Sequence, residues 1–429
     1  MKGRKLFWTA VSKVLAVLAA TLIMASILAP GAWAAGKYKV LHRFTGGSDG
    51  SGPGAGVVFD STGNLYTTTR QDGAYGSGTV VELTPNSDGS WTETVIYSFT
   101  GGTDGGASYG TPIFDVVGNL YGTASAGGVY GYGTVFMLTP NSDGSWTETT
   151  LHSFAGGTDG AQPTSGLIFD TAGNLYGTTT KGGRGNCPEY SSATGCGTAY
   201  ELTRSSGGGW SESVLYAFAG GKDGGYLDWG NLVFDGAGNL YGTTRDHGIS
   251  GPRCAGYGCG TLFELTPNSG GGWTEHVLHR FNQKDGGDAD GTLIFDAAGT
   301  LYGTTLTGGR YNAGTVFTLT LGSDGKWTER VIHAFTDGKD GGYPYSGVIF
   351  DAAGALYGTT NVGGIHGYGT VYELTPESGG GWKESVLHAF KGGRDGQQPC
   401  NDVVFDANGN LFDTTTSGGN GGTVFEIMP

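Results

Sequence analysis

Residues 166–179 read GLIFDTAGNLYGTT, and this stretch recurs seven times in the 429-residue chain. A Phe-Asp pair marks every copy, and its phenylalanines are Phe59, Phe114, Phe169, Phe234, Phe295, Phe350 and Phe405. The steps between them are 55, 55, 65, 61, 55 and 55 residues. A period of this length is typical of repeat architectures and decides the fold class before any other feature.

The repeated stretch predicts two strands joined by a tight turn. GLIF is a short apolar run and LYGTT is rich in aromatic and β-branched residues, so both favour strands. Between them, the side chain of Asp170 can accept hydrogen bonds from backbone N–H groups, and Gly173 can adopt positive φ without a steric penalty. Because every copy has this Asp and Gly, we interpret the seven aspartates as turn residues rather than catalytic groups.

Each repeat contains four predicted strands, called a (GLIF), b (LYGTT), c (TVFELT) and d (WTETVLHSF). Four short strands in about 55 residues are the size of one propeller blade. A β-helix would have a shorter rung, and a β-sandwich would not need seven near-identical copies. The sequence therefore predicts an all-β fold, a seven-bladed β-propeller of four-stranded blades.

The two ends of the repeat array predict how the ring closes. Strands a, b and c occur seven times after residue 55, but only six d strands follow them. The missing d strand matches YKVLHRF, at Tyr38–Phe44. We expect this N-terminal segment to be the outer strand of the last blade, since ring closure hides sheet edges.

The first 34 residues have the pattern of a signal peptide, and residues 35–429 form the predicted propeller domain. Lys2, Arg4 and Lys5 precede an apolar run that ends at the A-x-A site Ala32–Ala34. An uncleaved membrane anchor is the alternative interpretation of this run. No second apolar run follows, so no membrane span is expected after cleavage, and the protein is expected in the periplasm or outside the cell.

Composition restricts the classes of partner. The chain has 87 glycines, 23 basic and 38 acidic residues, a net charge of −15. Removing the four basic residues of the signal peptide leaves 19 against 38, a net charge of −19. Such acidity argues against nucleic acid, polyanionic glycans or anionic lipid as partners. No cofactor or metal is predicted, and a monomer is expected.

The repeat resembles a named family of secreted, glycine-rich bacterial proteins, the choice-of-anchor tandem repeat proteins with the GloVer-type repeat. The resemblance covers residues 38–429 and is carried by Asn174–Thr179, NLYGTT, with Gly369–Pro376, GTVYELTP. The turn is more distantly similar to NHL and two-component-regulator propeller repeats. The family implies a surface anchor after the repeats, whereas this chain ends at Pro429. It implies no catalytic residues.

Four of the five cysteines lie in extra loop length between strands b and c. Cys187 and Cys196 fall in the expansion of the third repeat, and Cys254 and Cys259 in that of the fourth. In an exported protein, such local pairs favour disulfides Cys187–Cys196 and Cys254–Cys259. One zinc site made by all four is the alternative. Cys400 is expected to be a free thiol.

The histidines of strand d follow the repeat. They are His42, His152, His279, His333 and His388, and tyrosine takes the same position in the other two blades. Exchange of His for Tyr at a repeated site indicates packing with a polar tip, so we predict a structural role.

Function is expected where the copies differ, which is in the d–a and b–c loops. Both loop types should emerge on one face of the propeller. We expect the ligand-binding part of that face to be centred on blades 3 to 5. The candidate ligand-binding residues are Tyr226, Asp228, Trp229, Arg245, Asp246, His247, Asp288 and Asp290. Aromatic, acidic and basic side chains on scaffolded loops favour a non-catalytic binding module for an extracellular ligand, a neutral glycan or a protein.

Two alternatives stay open. A carbohydrate-active hydrolase or lyase would need carboxylates that converge on the central face. The candidates for it are Asp228, Asp246, Asp288, Asp290, Asp402 and Asp413, with His247. A purely structural surface protein is the other alternative, in which the loops vary because nothing constrains them. The balance favours a protein that is not an enzyme.

Overall fold

The computed structural model describes residues 37–187, 194–205, 207–248 and 257–428. These residues form seven antiparallel sheets of four principal strands, arranged as the blades of a ring. The fold is therefore the predicted seven-bladed β-propeller. Short 3₁₀ turns follow three of the outer strands, at Gly157–Asp159, Gly221–Asp223 and Gly393–Asp395.

The strands of the seven blades have nearly constant lengths. Strand a, the innermost, is Val58–Phe59, Ile113–Phe114, Ile168–Phe169, Val233–Phe234, Ile294–Phe295, Ile349–Phe350 and Val404–Phe405. Strand b is Leu65–Gln71, Leu120–Ala124, Leu175–Thr179, Leu240–Thr244, Leu301–Thr305, Leu356–Thr360 and Leu411–Thr415. Strand c is Thr79–Pro85, Thr134–Pro140, Thr198–Arg204, Thr261–Pro267, Thr315–Leu321, Thr370–Pro376 and Thr423–Met428. Strand d is Trp91–Ser98, Trp146–Ser153, Trp210–Ala217, Trp273–Arg280, Trp327–Ala334, Trp382–Ala389 and, in blade 7, Lys37–Arg43. An extra strand, Ser51–Pro53, pairs with strand b of blade 1.

The ring closes as the repeat count predicts. Lys37–Arg43 pairs antiparallel with Thr423–Met428, with Tyr38 opposite Ile427 and Val40 opposite Phe425. The outer edge of the last blade is thus covered by the N-terminal end of the propeller domain. Blade 7 is the only blade of the described structure that combines strands from both ends of the chain.

The a–b turn has the geometry predicted from its aspartate. In blade 3, Asp170 Oδ1 accepts hydrogen bonds from the backbone N–H groups of Ala172 at 2.8 Å and Asn174 at 2.9 Å. The same two backbone hydrogen bonds recur in all seven blades. In six blades the tyrosine of strand b also donates to the aspartate, as Tyr176 does at 3.3 Å. The seven aspartates are therefore committed to the turn.

The apolar core lies between blades rather than within them. One cluster joins Tyr121 and Phe154 of blade 2 to Leu167, Leu175 and Tyr200 of blade 3. The rings of Phe154 and Tyr200 meet edge to face, with centroids 5.1 Å apart. Because a single four-stranded sheet leaves both faces open, each blade depends on its neighbours for burial, as expected for stacked repeats.

Strand d contains a β-bulge that the sequence pattern does not reveal. The pairing with strand c shifts by one residue at the same place in every blade, between Thr150 and His152 in blade 2. After the bulge, His152 Nε2 lies 3.2 Å from Asp159, and in blade 3 Tyr216 donates to Asp223 at 2.8 Å. His and Tyr therefore both contact the aspartate at the equivalent position of the following loop, which agrees with a structural role.

Within the described residues, no helix is both long and apolar enough to cross a membrane. The predicted signal peptide, residues 1–34, lies outside the described residues and stays a prediction.

Candidate functional site

The d–a and b–c loops lie together on one face of the propeller, here called the loop face. Isolated antiparallel bridges join the two kinds of loop within a blade, as between Ala161 and Lys181 in blade 3 and between Gly225 and Asp246 in blade 4. This confirms that residues from both loop types share a face. It also fixes the candidate side chains relative to one another.

Arg245, on the b–c loop of blade 4, lies at the centre of a charged cluster on the loop face. Its Nη1 is 3.3 Å from Asp228 Oδ2, and its Nε is 3.8 Å from Asp290 Oδ2. Asp228 also accepts a hydrogen bond from the Thr164 hydroxyl at 2.8 Å. Negative charge, above all that of Asp290, raises the pKa of Arg245, so the guanidinium stays charged. The cluster of Arg245, Asp228, Asp290 and Thr164 therefore links loops from three consecutive blades.

Asp290 is the most deeply buried carboxyl of this cluster. Its side chain has no exposed area, and neither oxygen has a hydrogen-bond partner among the described residues. Burial raises the pKa of Asp290 well above its ordinary value, although Arg245 opposes the shift. Burial likewise raises the pKa of Asp288, which accepts a hydrogen bond from Thr307 at 3.0 Å. The cluster thus combines a fixed positive charge with a carboxyl whose charged form is disfavoured by burial and favoured by Arg245.

Three aromatic rings from alternate blades surround the mouth of the central channel. Trp229 of blade 4 meets Tyr109 of blade 2 edge to face, with centroids 5.1 Å apart. On its other side, the Trp229 ring lies 6.1 Å from that of Tyr345 of blade 6. All three side chains are half-buried. These rings present a continuous aromatic surface beside the Arg245 cluster.

The backbone at Trp229 is strained. Its φ is 62°, a left-handed value that bulky residues rarely adopt, and Gly230 N–H donates to the Asp228 carbonyl at 2.7 Å. This hydrogen bond spans a single residue, which makes the segment a γ-turn. Gly224 to Asn231 contains one residue more than the equivalent Gly160 to Gly166 in blade 3. The γ-turn centred on Trp229 accommodates this extra residue.

A cleft of about 340 Å³ opens on the loop face over blades 2 to 4. It is lined by Tyr109, Ser125, Gln162, Thr164, Thr180, Lys181, Tyr226, Asp228, Trp229 and Arg245. The lining therefore combines three aromatic rings with hydroxyl, amide, carboxylate and guanidinium groups. A volume of this size lies within the range of small-molecule sites.

Lys181 forms the buried wall of the cleft, and the sequence analysis did not single it out. Its side chain is fully buried, and its Nζ donates to the Cys187 carbonyl at 2.7 Å and to the Tyr226 hydroxyl. The ammonium also lies 3.9 Å from the centroid of the Tyr226 ring. These contacts hold the Tyr226 side chain in place. One feature of the sequence could have identified Lys181. It is the second residue after the LYGTT strand, and no other repeat has a lysine at that position.

The disulfide Cys187–Cys196 is present, as predicted, and is fully buried. His247 belongs to this cystine rather than to the cleft, because its Nε2 lies 2.9 Å from Cys187 Sγ. Cys259 is also disulfide-bonded, but Cys254 lies outside the described residues, so the pairing Cys254–Cys259 stays a prediction. The described structure has one free cysteine, the buried Cys400, as expected.

Below the aromatic rings, a ring of equivalent residues lines the channel, one from each blade just before strand a. They are Gly56, Thr111, Gly166, Asn231, Thr292, Gly347 and Asp402. Asp402 accepts a hydrogen bond from the Gly347 N–H at 2.6 Å, and Asn231 accepts one from the Gly166 N–H at 2.7 Å. Asp402 and Asn231 therefore join neighbouring blades. The remaining cavity, which Asp402 and Asn231 line with Asp290, holds about 20 Å³, enough for roughly one water molecule.

Asp413 is a second buried carboxyl with no hydrogen-bond partner for either oxygen among the described residues. It replaces the glycine of the LYGTT motif in strand b of blade 7, and it is fully buried. Burial raises the pKa of Asp413 well above its ordinary value. Nearby Cys400 is similarly affected, and burial raises the pKa of its thiol to about 12.

The structure brings together only part of the predicted site. Tyr226, Asp228, Trp229 and Arg245 line one cleft, and Asp290 lies behind Arg245. Asp246 is almost completely buried, Asp288 is hydrogen-bonded to Thr307, and His247 faces the disulfide. Asp402 and Asp413 belong to blade 7, where Asp402 lines the channel cavity and Asp413 is buried in strand b.

A ring of seven repeats with a loop face over its channel defines a tandem-repeat β-propeller. The chain belongs to the Gloeobacter/Verrucomicrobia repeat family, whose model matches residues 32–253 and 250–429. This match confirms the resemblance found in the sequence. None of the curated proteins compared matches the sequence significantly.

Solved structures with a similar fold include several enzymes. A Trichoderma reesei carbohydrate-active enzyme of family AA12 is 13% identical, with 95% of this chain and 99% of that chain covered and a TM-score of 0.45. A putative glucose dehydrogenase of Thermus thermophilus is 16% identical over 92% and 100%, with a TM-score of 0.44. A protein of unknown function from Dyadobacter fermentans is 10% identical over 92% and 99%, with a TM-score of 0.48. Likeness at this level carries no argument about function.

Proposed function

We propose that this propeller is a binding module that holds a neutral, polyhydroxylated ligand of the glycan class in the cleft beside Trp229. The observation that carries the proposal is the lining of the cleft. Three aromatic rings adjoin hydroxyl and amide groups and one carboxylate–guanidinium pair. Aromatic faces take the apolar faces of sugar rings, and fixed polar groups take their hydroxyls.

The charges of the cleft support a neutral ligand. Arg245 forms an ion pair with Asp228, and the buried ammonium of Lys181 lies against Tyr226 and donates to a carbonyl. The guanidinium is therefore already paired with a carboxylate, and the ammonium is not exposed to a ligand carboxylate or sulfate. With the predicted signal peptide removed, the chain also carries a net charge of −19 and repels polyanions. The Cys187–Cys196 disulfide is consistent with export to a compartment where such ligands occur.

Binding of uncharged oligosaccharides by the untagged propeller tests the proposal. A panel of neutral oligosaccharides, with carboxylated and sulfated analogues, can be screened by calorimetry and tryptophan fluorescence. Trp229→Ala removes the indole ring from the cleft. It is expected to weaken binding about 10- to 100-fold, since burying an aromatic side chain contributes about 1.5–3 kcal/mol. Tyr130→Ala, on an exposed tyrosine of a neighbouring b–c loop, is the matched control and should leave binding unchanged.

Two outcomes would contradict the proposal. Equal binding by the Trp229→Ala and Tyr130→Ala variants would place the ligand elsewhere. Binding confined to the sulfated or carboxylated analogues would contradict the neutral class. An absence of binding to the whole panel would favour the structural alternative, in which the loop face has no ligand.

A second candidate, a carbohydrate-active hydrolase or lyase, is favoured by one observation. Asp290 is a buried carboxyl whose raised pKa suits a general acid, and the Asp228 carboxylate lies on the other side of Arg245. Incubation of the binding oligosaccharides with the protein, followed by product analysis, separates the candidates. Products that disappear with Asp290→Asn would identify an enzyme, whereas binding without turnover supports the module.

A further inference from the structure

Adjacent blades meet at their outer strands, and these seams carry a repeated set of metal-ligating side chains. Strand d of one blade and the loop after it supply a His and an Asp, and strand d of the next blade supplies a Glu. Between blades 2 and 3 the set is His152, Asp159 and Glu212, and between blades 4 and 5 it is His279, Asp285 and Glu329. In both sets, one ligand atom of each residue lies within 4.8 Å of the other two.

The spacing of these atoms suits a small divalent ion. His152 Nε2 is 3.2 Å from Asp159 Oδ1, and His279 Nε2 is 3.3 Å from Asp285 Oδ2. Tetrahedral zinc has bonds of about 2.0–2.2 Å to imidazole nitrogen and carboxylate oxygen, so two of its ligand atoms lie roughly 3.3 Å apart. The His–Asp pairs thus already have the spacing of two ligands on one ion.

The third member of each set has an unsatisfied atom. Glu212 Oε1 and Glu329 Oε1 are buried and have no hydrogen-bond partner among the described residues, and the same holds for His279 Nε2. A buried polar atom without a partner is costly, and an ion is one explanation for it. Because the Glu belongs to the next blade, an ion that bound all three residues would join two blades.

Access and orientation also fit an ion. The side chains of His152 and Asp159 are 20% and 22% exposed, so an ion and a water ligand can reach them. The carboxylates are held by their own loops. Asp159 accepts a hydrogen bond from the Ala155 N–H, and Asp285 accepts one from the Asn282 N–H at 2.9 Å. Such secondary hydrogen bonds orient metal ligands.

We propose that the two seams each bind one divalent transition-metal ion of the zinc class through an imidazole nitrogen and two carboxylates. Of the other five seams, three lack one residue of the set. Tyr97 and Tyr216 replace the histidine in two of them, and Tyr38 stands in place of the glutamate at the closing seam. The last two seams have all three residue types but longer His–Asp distances, 3.5 Å for His42 with Asp49 and 4.0 Å for His333 with Asp340. Among the described residues, neither of them brings its three ligand atoms within 4.8 Å of one another. The sites are separate from the cleft and independent of the proposed function.

The chain itself supplies the substitution that tests the proposal. Tyrosine at the histidine position donates to the loop aspartate at 2.9 Å in Tyr97 and at 2.8 Å in Tyr216, so His152→Tyr and His279→Tyr should fold. Untagged protein is stripped with chelator and titrated with Zn²⁺, and bound zinc is counted after dialysis. Two ions per chain are expected in the wild type, one in either variant and none in the double variant. His333→Tyr, the matched control, should retain two.

Further measurements keep the test decisive. Zn²⁺ should raise the melting temperature of the wild type but not that of the double variant, and Co²⁺ should give the intense visible absorption of a tetrahedral site. Glu212→Gln, which preserves shape, should remove one ion as His152→Tyr does. Zinc retained by the double variant would overturn the proposal. A wild type without saturable zinc binding would overturn it as well.

Discussion

The closing seam of the ring offers the sharpest test of the fold. Tyr38, on the N-terminal strand, stacks on His388 of blade 6 with ring centroids 3.7 Å apart and an interplanar angle of 3°. It also meets Phe390 at 5.8 Å and Phe425 at 5.7 Å, and its hydroxyl donates to the Asp395 carbonyl. Tyr38 therefore joins blade 7, which contains the N-terminal strand, to blade 6.

The size of the effect follows from these contacts. Truncation of a fully buried aromatic residue to alanine costs about 3–5 kcal/mol, and Tyr38 is half-buried, so about 2 kcal/mol is expected from packing. The lost hydrogen bond to the Asp395 carbonyl adds about 1 kcal/mol. Tyr38→Ala should therefore lower the free energy of unfolding by about 3 kcal/mol, and Tyr38→Phe by about 1 kcal/mol.

Equilibrium unfolding in urea, followed by circular dichroism and fluorescence, measures these values. In a double-mutant cycle with His388→Ala, the stacked pair should show a coupling energy of about 1 kcal/mol. Lys37→Ala, at an exposed position of the same strand, should change stability by less than about 0.5 kcal/mol. A loss below that value for Tyr38→Ala, or no coupling with His388, would refute the role of this seam in closing the ring.

Substitutions at three further positions, Asp170, Gly177 and Asp402, test the repeat. Asp170→Ala should cost about 1–2 kcal/mol, because it removes two backbone hydrogen bonds from the turn. Burial alone would raise the pKa of Asp170, but these hydrogen bonds lower it overall. The contribution of the Asp170 carboxylate to the free energy of unfolding is therefore complete above about pH 4 and is lost as the pH falls. Asp170→Asn should reduce the loss of stability measured by urea unfolding between about pH 6 and about pH 2. Gly177→Ala should cost about 1–3 kcal/mol, because its methyl group would lie 2.5 Å from the Tyr200 hydroxyl, whereas Gly236→Ala, with no atom within 4 Å, should have no measurable effect on thermal unfolding. Asp402→Ala should cost about 1–3 kcal/mol by leaving the Gly347 N–H unpaired, and Asp402→Asn should restore most of this in the same assay, as Asn231 does in blade 4.

The sequence by itself determined the architecture of this protein. The period of the Phe-Asp pairs predicted seven blades, and the displaced d strand at Tyr38–Phe44 predicted the closure. The turn aspartates, the shared loop face and the disulfide Cys187–Cys196 were predicted as well. All of these features depend on residues close together in the chain or on the same position repeated in every copy. A one-dimensional pattern therefore contains enough information for them.

The tertiary structure decided which of the variable residues meet. Arg245 lies between Asp228 and Asp290, Lys181 supports Tyr226, and His247 turns away to the disulfide. The β-bulge that aligns each strand d histidine with its loop aspartate was also not visible in the sequence. These contacts join different repeats, or depend on a one-residue shift in pairing. Their geometry is set by the twist and packing of whole blades, because side chains from several loops converge only once the ring has closed.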